Sequence, residues 1–394
     1  MVERCENPFV RALAFFLAAS LLLPVLPRAD SQQGRLEAWL DAVREHEDGH
    51  WDTPAQSIGR WSSADLRAVY QSLKPRLAGP APRPPDVDVL LVRGAMLHTD
   101  IAVLGSRRQI PAAPGDRSVA LSIDGRDLGQ QVIDPSWEFA RQLLDGLSET
   151  SGNKGLARLW YRATIAHMAK FSLLGDLRPH LEHAVGRFPA DPDIVFDTGW
   201  MYESLAGPRT QAVAADLLVP RGMRARIEAP NVGDCLQRAE RLYTRVLASR
   251  PDHLDARIGR GRVYSLRGNQ KAAIADLRTA VDAARDPIQK YFALLFLGGA
   301  YEALENVEQA RAAYERASTL YAFAQSPHLA LSRLATRRGD MPAAQREIQK
   351  LLGLSPNAPD RGDPWWLYAM GSGRHTDALF NQLRAAVAAP GETS

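Results

Sequence analysis

The sequence predicts an all-α chain whose C-terminal two-thirds is an α-solenoid of stacked helix pairs. Three observations carry this. Ala, Leu and Arg are abundant while aromatics make up only 7%, and those three residues lose little conformational freedom in a helix. Apolar residues recur at helical spacing in most segments. From about residue 155 onward, small and aromatic residues also recur every 34 positions, the length of one helix–turn–helix unit. A chain of 394 residues exceeds one ordinary core, so a repeat array or several domains are expected.

The N-terminus has a different character. Two arginines lie between Met1 and Arg11, and Ala12 to Leu26 is an uncharged run, ALAFFLAASLLLPVL. A positive start before a short apolar core is the pattern of a secretory signal peptide. The run is shorter than the roughly 20 residues that span a bilayer. Ala29 suits the last position before a cut, whereas Pro27 does not suit the position two before it. Residues 1–29 are therefore expected to direct export to the periplasm or cell exterior. The alternative is an uncleaved anchor through 12–26, the only membrane contact expected. If the segment is removed, Cys235 is the one cysteine left and no internal disulfide can form. Its lone thiol is expected to be a small buried group.

Residues 30–79 form a helical region. Leu36, Leu40 and Val43 mark one helix, and Ser62-Ser63 opens a second through Asp65–Leu73. Residues 80–150 combine a linker, a helix and an irregular segment. The stretch AGPAPRPP at 78–85 cannot continue a helix. A helix follows over 86–105, with Val87, Leu90, Leu91, Met96 and Leu97. Residues 105–135 are rich in Gly and Pro and include one strand-like run, Ser118–Ile123, ended by Asp124-Gly125. Trp137 to Leu147 is again helical.

The repeat is clearest over 254–356. Gly261, Tyr264, the turn residue Gly268, Ala273, Leu277, Ala280 and Asp286-Pro287 fill one unit. Leu294, Leu297, Gly298, Tyr301, Ala310, Tyr314 and Ala317 fill the next. Ala335, Ala344 and Leu351 each lie 34 residues after their counterparts, and Pro356 closes that unit. Upstream, Gly199 and Tyr202 belong to the first helix, and Ala239, Tyr243, Val246 and Pro251 to the second, of a further unit. A degenerate unit precedes it, with Thr164, Met168, Phe171 and Gly175 leading to Pro189. Gly373, Ala378, Ala385 and Pro390 repeat the pattern at the end, where Pro364 truncates the first helix. Insertions lie near Ile288-Gln289-Lys290 and over Gly207–Asp234, the latter with a short helix expected at 211–218.

These positions resemble the tetratricopeptide repeat family over about 155–390, and the solenoid is placed at 151–390. The resemblance implies a right-handed superhelix of five to six helix pairs whose first helices line a concave face. It also implies a non-catalytic scaffold that binds a protein or peptide and needs no cofactor. The groove-facing slots carried over from the family are Phe196, Trp200, Arg262, Leu266, Phe292, Leu295, Glu302, Arg333 and Arg337. Arg262, Arg333 and Arg337 are expected to take a carboxylate. Trp365-Trp366, followed by Leu367 and Tyr368, are expected to belong to capping helices over 363–390 that protect the open end of the stack. The other reading of that pair is a partner-binding anchor.

Other functions are disfavoured by the residues themselves. The net charge of +3 is a small imbalance between 48 cations and 45 anions, with no basic excess of the kind nucleic acid demands. One catalytic motif, H-E-x-x-H, is spelled by His46-Glu47-Asp48-Gly49-His50. In a zinc hydrolase its histidines bind metal from one helical face while the glutamate activates water. Gly49 costs helix stability of about 1 kcal/mol, and Trp51-Asp52-Thr53-Pro54 follows at once. The motif therefore reads as a helix end with no metal, and a zinc hydrolase with an appended array is the alternative function. His98-Thr99-Asp100 and the pair His180/His183 read as structural, because no nucleophile or phosphate-binding loop accompanies them.

Overall fold

The computed structural model describes residues 32–48, 61–77, 85–108, 118–123, 126–132, 135–170, 174–207, 231–353 and 363–388. The chain divides into two compact units, one of residues 1–157 with 386–394 and one of residues 158–385.

The first unit holds α1 (Gln32–Asp48), α2 (Ser63–Leu77), α3 (Pro85–Arg108), strands β1 (Ser118–Ile123) and β2 (Arg126–Val132), and α4 (Pro135–Asp145). The strands pair antiparallel, Ser118 opposite Val132 and Ile123 opposite Arg126; sequence reading found only β1. α2 begins at a reciprocal cap, where the Ser62 hydroxyl donates to Asp65 at 2.7 Å and accepts from the Asp65 amide at 3.2 Å. The core centres on Trp39, fully buried with Leu91, Leu97 and Leu143. Trp39 Nε1 donates to His98 Nε2 at 3.0 Å, so His98 Nδ1 carries the proton and donates to Ser136 Oγ at 3.2 Å. Burial, aided by nearby His46, lowers the His98 pKa to about 3. A neutral imidazole is what this pairing requires.

The second unit is built from helix pairs. α5 (Ser151–Lys170) enters it and pairs with α6 (Leu174–Arg187). Four more pairs follow: α7 (Pro192–Leu205) with α8 (Val232–Ser249), α9 (Leu254–Leu266) with α10 (Gln270–Ala283), α11 (Pro287–Ala303) with α12 (Val307–Leu320), and α13 (Gln325–Arg337) with α14 (Met341–Leu352). Side-chain caps start several of them. Asp191 accepts from the amides of Asp193 and Ile194, Asp286 from Ile288, and Asp340 from Ala343. A proline follows the cap at Pro192 and Pro287, where its missing N–H costs nothing.

The recurring small residues let paired helices close on an aromatic ring. A Cβ on Gly298 would lie 2.4 Å from the Tyr314 ring, so any larger residue would force the ring out of the core. The Ile288–Lys290 insertion is absorbed within α11, which has 17 residues against 13 in α9 and in α13. That is about one extra turn. The expected helix at 211–218, the segment 1–29, the 78–84 linker and the closing prolines 356 and 390 lie outside the described residues.

After α14 come α15 (Trp365–Ala369), a 3₁₀ turn (Gly371–His375) and α16 (Thr376–Ala388). Here the structure corrects the sequence reading. Residues 363–380 do not cover the end of the stack; they lie across the first helix of every pair. Among the described residues no helix is long and apolar enough to cross a membrane.

Candidate functional site: a groove holding its own C-terminal segment

The contacts of residues 363–380 define a groove along α13, α11, α9, α7 and α5. Asp363 begins it, accepting the Tyr291 hydroxyl of α11 at 2.7 Å. It also accepts the Ser326 amide and hydroxyl of α13 at 2.8 and 2.7 Å. Its carboxylate further caps α15 through the Trp365 amide at 3.0 Å. Tyr368 then packs edge-on against Phe292 and Phe296 of α11, with centroids 5.2 and 4.9 Å apart. Trp200 of α7 donates to the Tyr368 carbonyl at 3.3 Å. Arg374 reaches Asp255 of α9 at 2.6 Å, and Asp377 and Phe380 meet Lys170 and His167 of α5. The segment thus runs against the stacking order, from the fifth pair to the first.

Gly371 is the tightest point of this path. Its φ is +52°, and a Cβ there would lie 2.5 Å from the Trp200 ring. Both conditions select glycine.

The middle of the groove is an ionic and aromatic cluster. Glu203, almost wholly buried, accepts the Tyr243 hydroxyl at 2.6 Å, the Tyr368 hydroxyl at 2.7 Å and Nη1 of Arg262. The Arg262 guanidinium also lies 5.1–5.4 Å from the ring centres of Tyr368, Phe296 and Trp365, a stacked cation–π arrangement. Burial opposes its charge, but Glu203 and Tyr368 outweigh that and raise its pKa. Burial, reinforced by the Glu203 charge, pushes both phenols well above their ordinary pKa. Both therefore stay protonated and donate.

Beyond the cluster, a cleft of about 330 Å³ opens between α5, α7, α9 and the 3₁₀ turn, lined by Phe196, Asp197, His253, Arg374 and His375 among others. Asp197 is 3% exposed and its Oδ1 has no hydrogen-bond donor from the protein. Burial raises its pKa to about 7, a rise that the nearby Ser372 hydroxyl and Arg162 only partly offset.

A second cluster sits at α13. Glu302 accepts the Tyr314 hydroxyl at 2.9 Å, Arg333 through Nε at 3.1 Å and Nη2 at 2.7 Å, and Arg337 Nη1 at 3.1 Å. Burial opposes ionisation of Glu302, but hydrogen bonds from Arg333 and Tyr314 outweigh it and lower its pKa.

The nine groove positions expected from sequence therefore separate. Trp200, Arg262 and Phe292 come together beneath the C-terminal segment, and Glu302, Arg333 and Arg337 form the second cluster. Phe196 packs at a tilt against His253 and Tyr243, with centroids 5.0 and 5.8 Å apart, and serves packing. Leu295 wedges between the core of α11 and that of α13. Leu266 is exposed. Arg262 is not open to a partner's carboxylate, because Glu203 already holds it. Sequence reasoning missed Glu203, Phe296 and Asp363, and put Tyr368 in an end cap. One signal was present: Glu203 follows Gly199 by four residues, as Glu302 follows Gly298.

The other candidates have structural partners. His46 Nε2 lies 3.1 Å from Asp100 Oδ2, both buried, and α1 ends at Asp48; Gly49 and His50 lie outside the described residues. No cluster of three or more His, Cys, Asp or Glu suited to a metal occurs among the described residues. His180 packs on Trp160 and His183 stacks on Tyr161. Cys235 is buried, and burial pushes its thiol up.

Helix pairs, a groove along their first helices and a segment held in it define a repeat scaffold. Tetratricopeptide repeat profiles match residues 232–287 and 293–322. Those two stretches are tetratricopeptide repeats. Among solved structures it aligns with MamA, residue 41 to the end, from Desulfovibrio magneticus RS-1, at 21% identity over 54% of this chain and 99% of that one, TM-score 0.38. It aligns with MamA of strain AMB-1 at 20% identity over 52% and 94%, TM-score 0.35. PilF of Pseudomonas aeruginosa aligns at 14% identity over 60% and 93%, TM-score 0.40. No curated protein matches the sequence.

Proposed function

We propose that this chain is an exported, non-catalytic scaffold that holds protein segments along the groove formed by its first helices. The observation that carries the reading is the groove's own content. Five consecutive first helices already hold a segment of protein, by a carboxylate, an arginine–aromatic stack and buried tyrosines. A surface that is shaped and charged on folding binds without a further ordering cost. Repeats of this kind serve protein–protein interaction, and the positions facing the groove at α13 remain exposed. The signal-like pattern of residues 1–29 supports export.

The test is a photocrosslinking residue placed at Arg337, in the groove, or at Arg311, on the second helix α12, in the native host. Adducts with a discrete protein at 337 and none at 311 are expected. The mass of the unreacted chain is expected to begin near Asp30. Equal labelling from both positions would refute the groove, and a full-length mass from a cytoplasmic fraction would refute export.

A further inference from the structure

The two clusters of the groove are copies of one arrangement. In each, a tyrosine of the second helix (Tyr243, Tyr314) lies over a glycine of the first (Gly199, Gly298). In each, a glutamate four residues after that glycine accepts the phenol (Glu203, Glu302). In each, the glutamate also holds an arginine from a later first helix, and Arg262 and Arg333 both stand eight residues after the start of their helices.

The copies differ in what covers them. Over Arg262 lie Trp365, Tyr368 and Phe296, and its side chain is 21% exposed. Among the described residues Arg333 has no such cover, and it is 60% exposed, with Arg337 at 59%. Leu329, one turn earlier on the same face of α13, is also exposed. The second cluster thus shows bare the arginine face that the first uses to hold an aromatic ring.

Charge defines the ligand further. Two guanidiniums share one carboxylate at Glu302, leaving a net charge of +1. The four lone-pair positions of Glu302 are taken by Tyr314, two nitrogens of Arg333 and one of Arg337. An incoming group therefore meets guanidinium, not carboxylate. Arg333 Nη1 and the Arg337 nitrogens that Glu302 does not engage suit an acidic side chain, and the plane of Arg333 suits a ring.

We propose that the Leu329–Arg333–Arg337 face of α13 is a second docking position that takes a partner segment carrying an aromatic residue, the part Trp365 and Tyr368 play at Arg262, beside an acidic one for the exposed guanidiniums. The inference rests on the scaffold reading and names the partner chemistry for it. The chain's own segment cannot serve both positions, because Tyr368 is held at Glu203. Tethering also gives that segment an effective concentration that a free peptide does not match.

The probe is a blocked synthetic peptide with the sequence of residues 362–370, GDPWWLYAM, titrated calorimetrically into the full chain at low salt. One site is expected. Arg333→Ala should weaken it at least about tenfold, and Arg333→Lys, which keeps the charge but loses the plane, should weaken it severalfold. Glu302 keeps Tyr314 and Arg337 in either variant, so the fold should persist, which circular dichroism checks. An Asp→Asn peptide should bind severalfold more weakly. Absence of binding, or binding indifferent to Arg333→Ala, would overturn the proposal. Binding seen only in a Tyr368→Ala protein and abolished by a further Arg262→Ala would place the peptide in the first cluster. The scaffold reading would then stand while this inference fell.

Discussion

Replacing Glu203 with Ala is expected to destabilise the 158–385 unit by about 3–5 kcal/mol, the usual cost of removing one partner of a buried ion pair. Three donors lose their acceptor at once: Arg262, Tyr243 and Tyr368. The buried guanidinium dominates, since an uncompensated charge in a low-dielectric interior is far more costly than an unpaired hydroxyl. The least costly relaxation is for residues 363–370 to lift away and let water reach Arg262. Increased amide exchange over 365–370 should therefore accompany the loss. Glu203→Gln keeps an acceptor oxygen but not the charge and should cost less. Urea unfolding checks the order. A change under about 0.5 kcal/mol in Glu203→Ala, the range of an ordinary surface substitution, would mean that the cluster does not hold the segment.

Asp197→Asn should have the opposite sign above neutral pH. The folded-state pKa of Asp197 is raised to about 7 by burial, against an ordinary value of 3.8. Between those values the folded chain binds more protons than the unfolded one, so stability falls as pH rises from about 4 to about 7. Above pH 7 the penalty is full, at about 1.4 kcal/mol for each tenfold difference in proton affinity. Asn keeps the shape and cannot ionise. The variant should therefore melt higher than the parent at pH 8, and the gap should close towards pH 4. Because Asp197 lies by Ser372, the parent's C-terminal segment should also loosen as pH rises. A gap independent of pH would show that Asp197 is ionised throughout and held by a donor.

The fold was largely legible in the sequence, because the repeat writes each packing requirement into residue size. Gly298 beneath Tyr314 is the plainest example: the ring needs the missing side chain, and Gly199 beneath Tyr243 repeats that need. The site was only half legible. Arg262, Arg333 and Arg337 were found because they occupy fixed positions on first helices. Glu302 was named as a groove position but its pairing was not, and Glu203 was not named at all, since which carboxylate meets which arginine depends on contacts 59 and 31 residues apart that no local pattern records. Trp365 and Tyr368 were read as an end cap because a terminal repeat must protect the last hydrophobic face of its stack, although Pro364 breaks the first helix there. The same break frees the chain to turn back into the groove. A two-stranded pairing likewise escaped notice, as β2, RDLGQQV, lacks the β-branched and aromatic residues that mark a strand.

Tyr368 on Glu203 seats the C-terminal segment in the groove. A double-mutant cycle between Glu203→Gln and Tyr368→Phe measures that contact alone. A coupling of about 1 kcal/mol or more is expected, as for a buried hydrogen bond to a charged group. Additive effects within about 0.3–0.5 kcal/mol would contradict it and place the segment elsewhere.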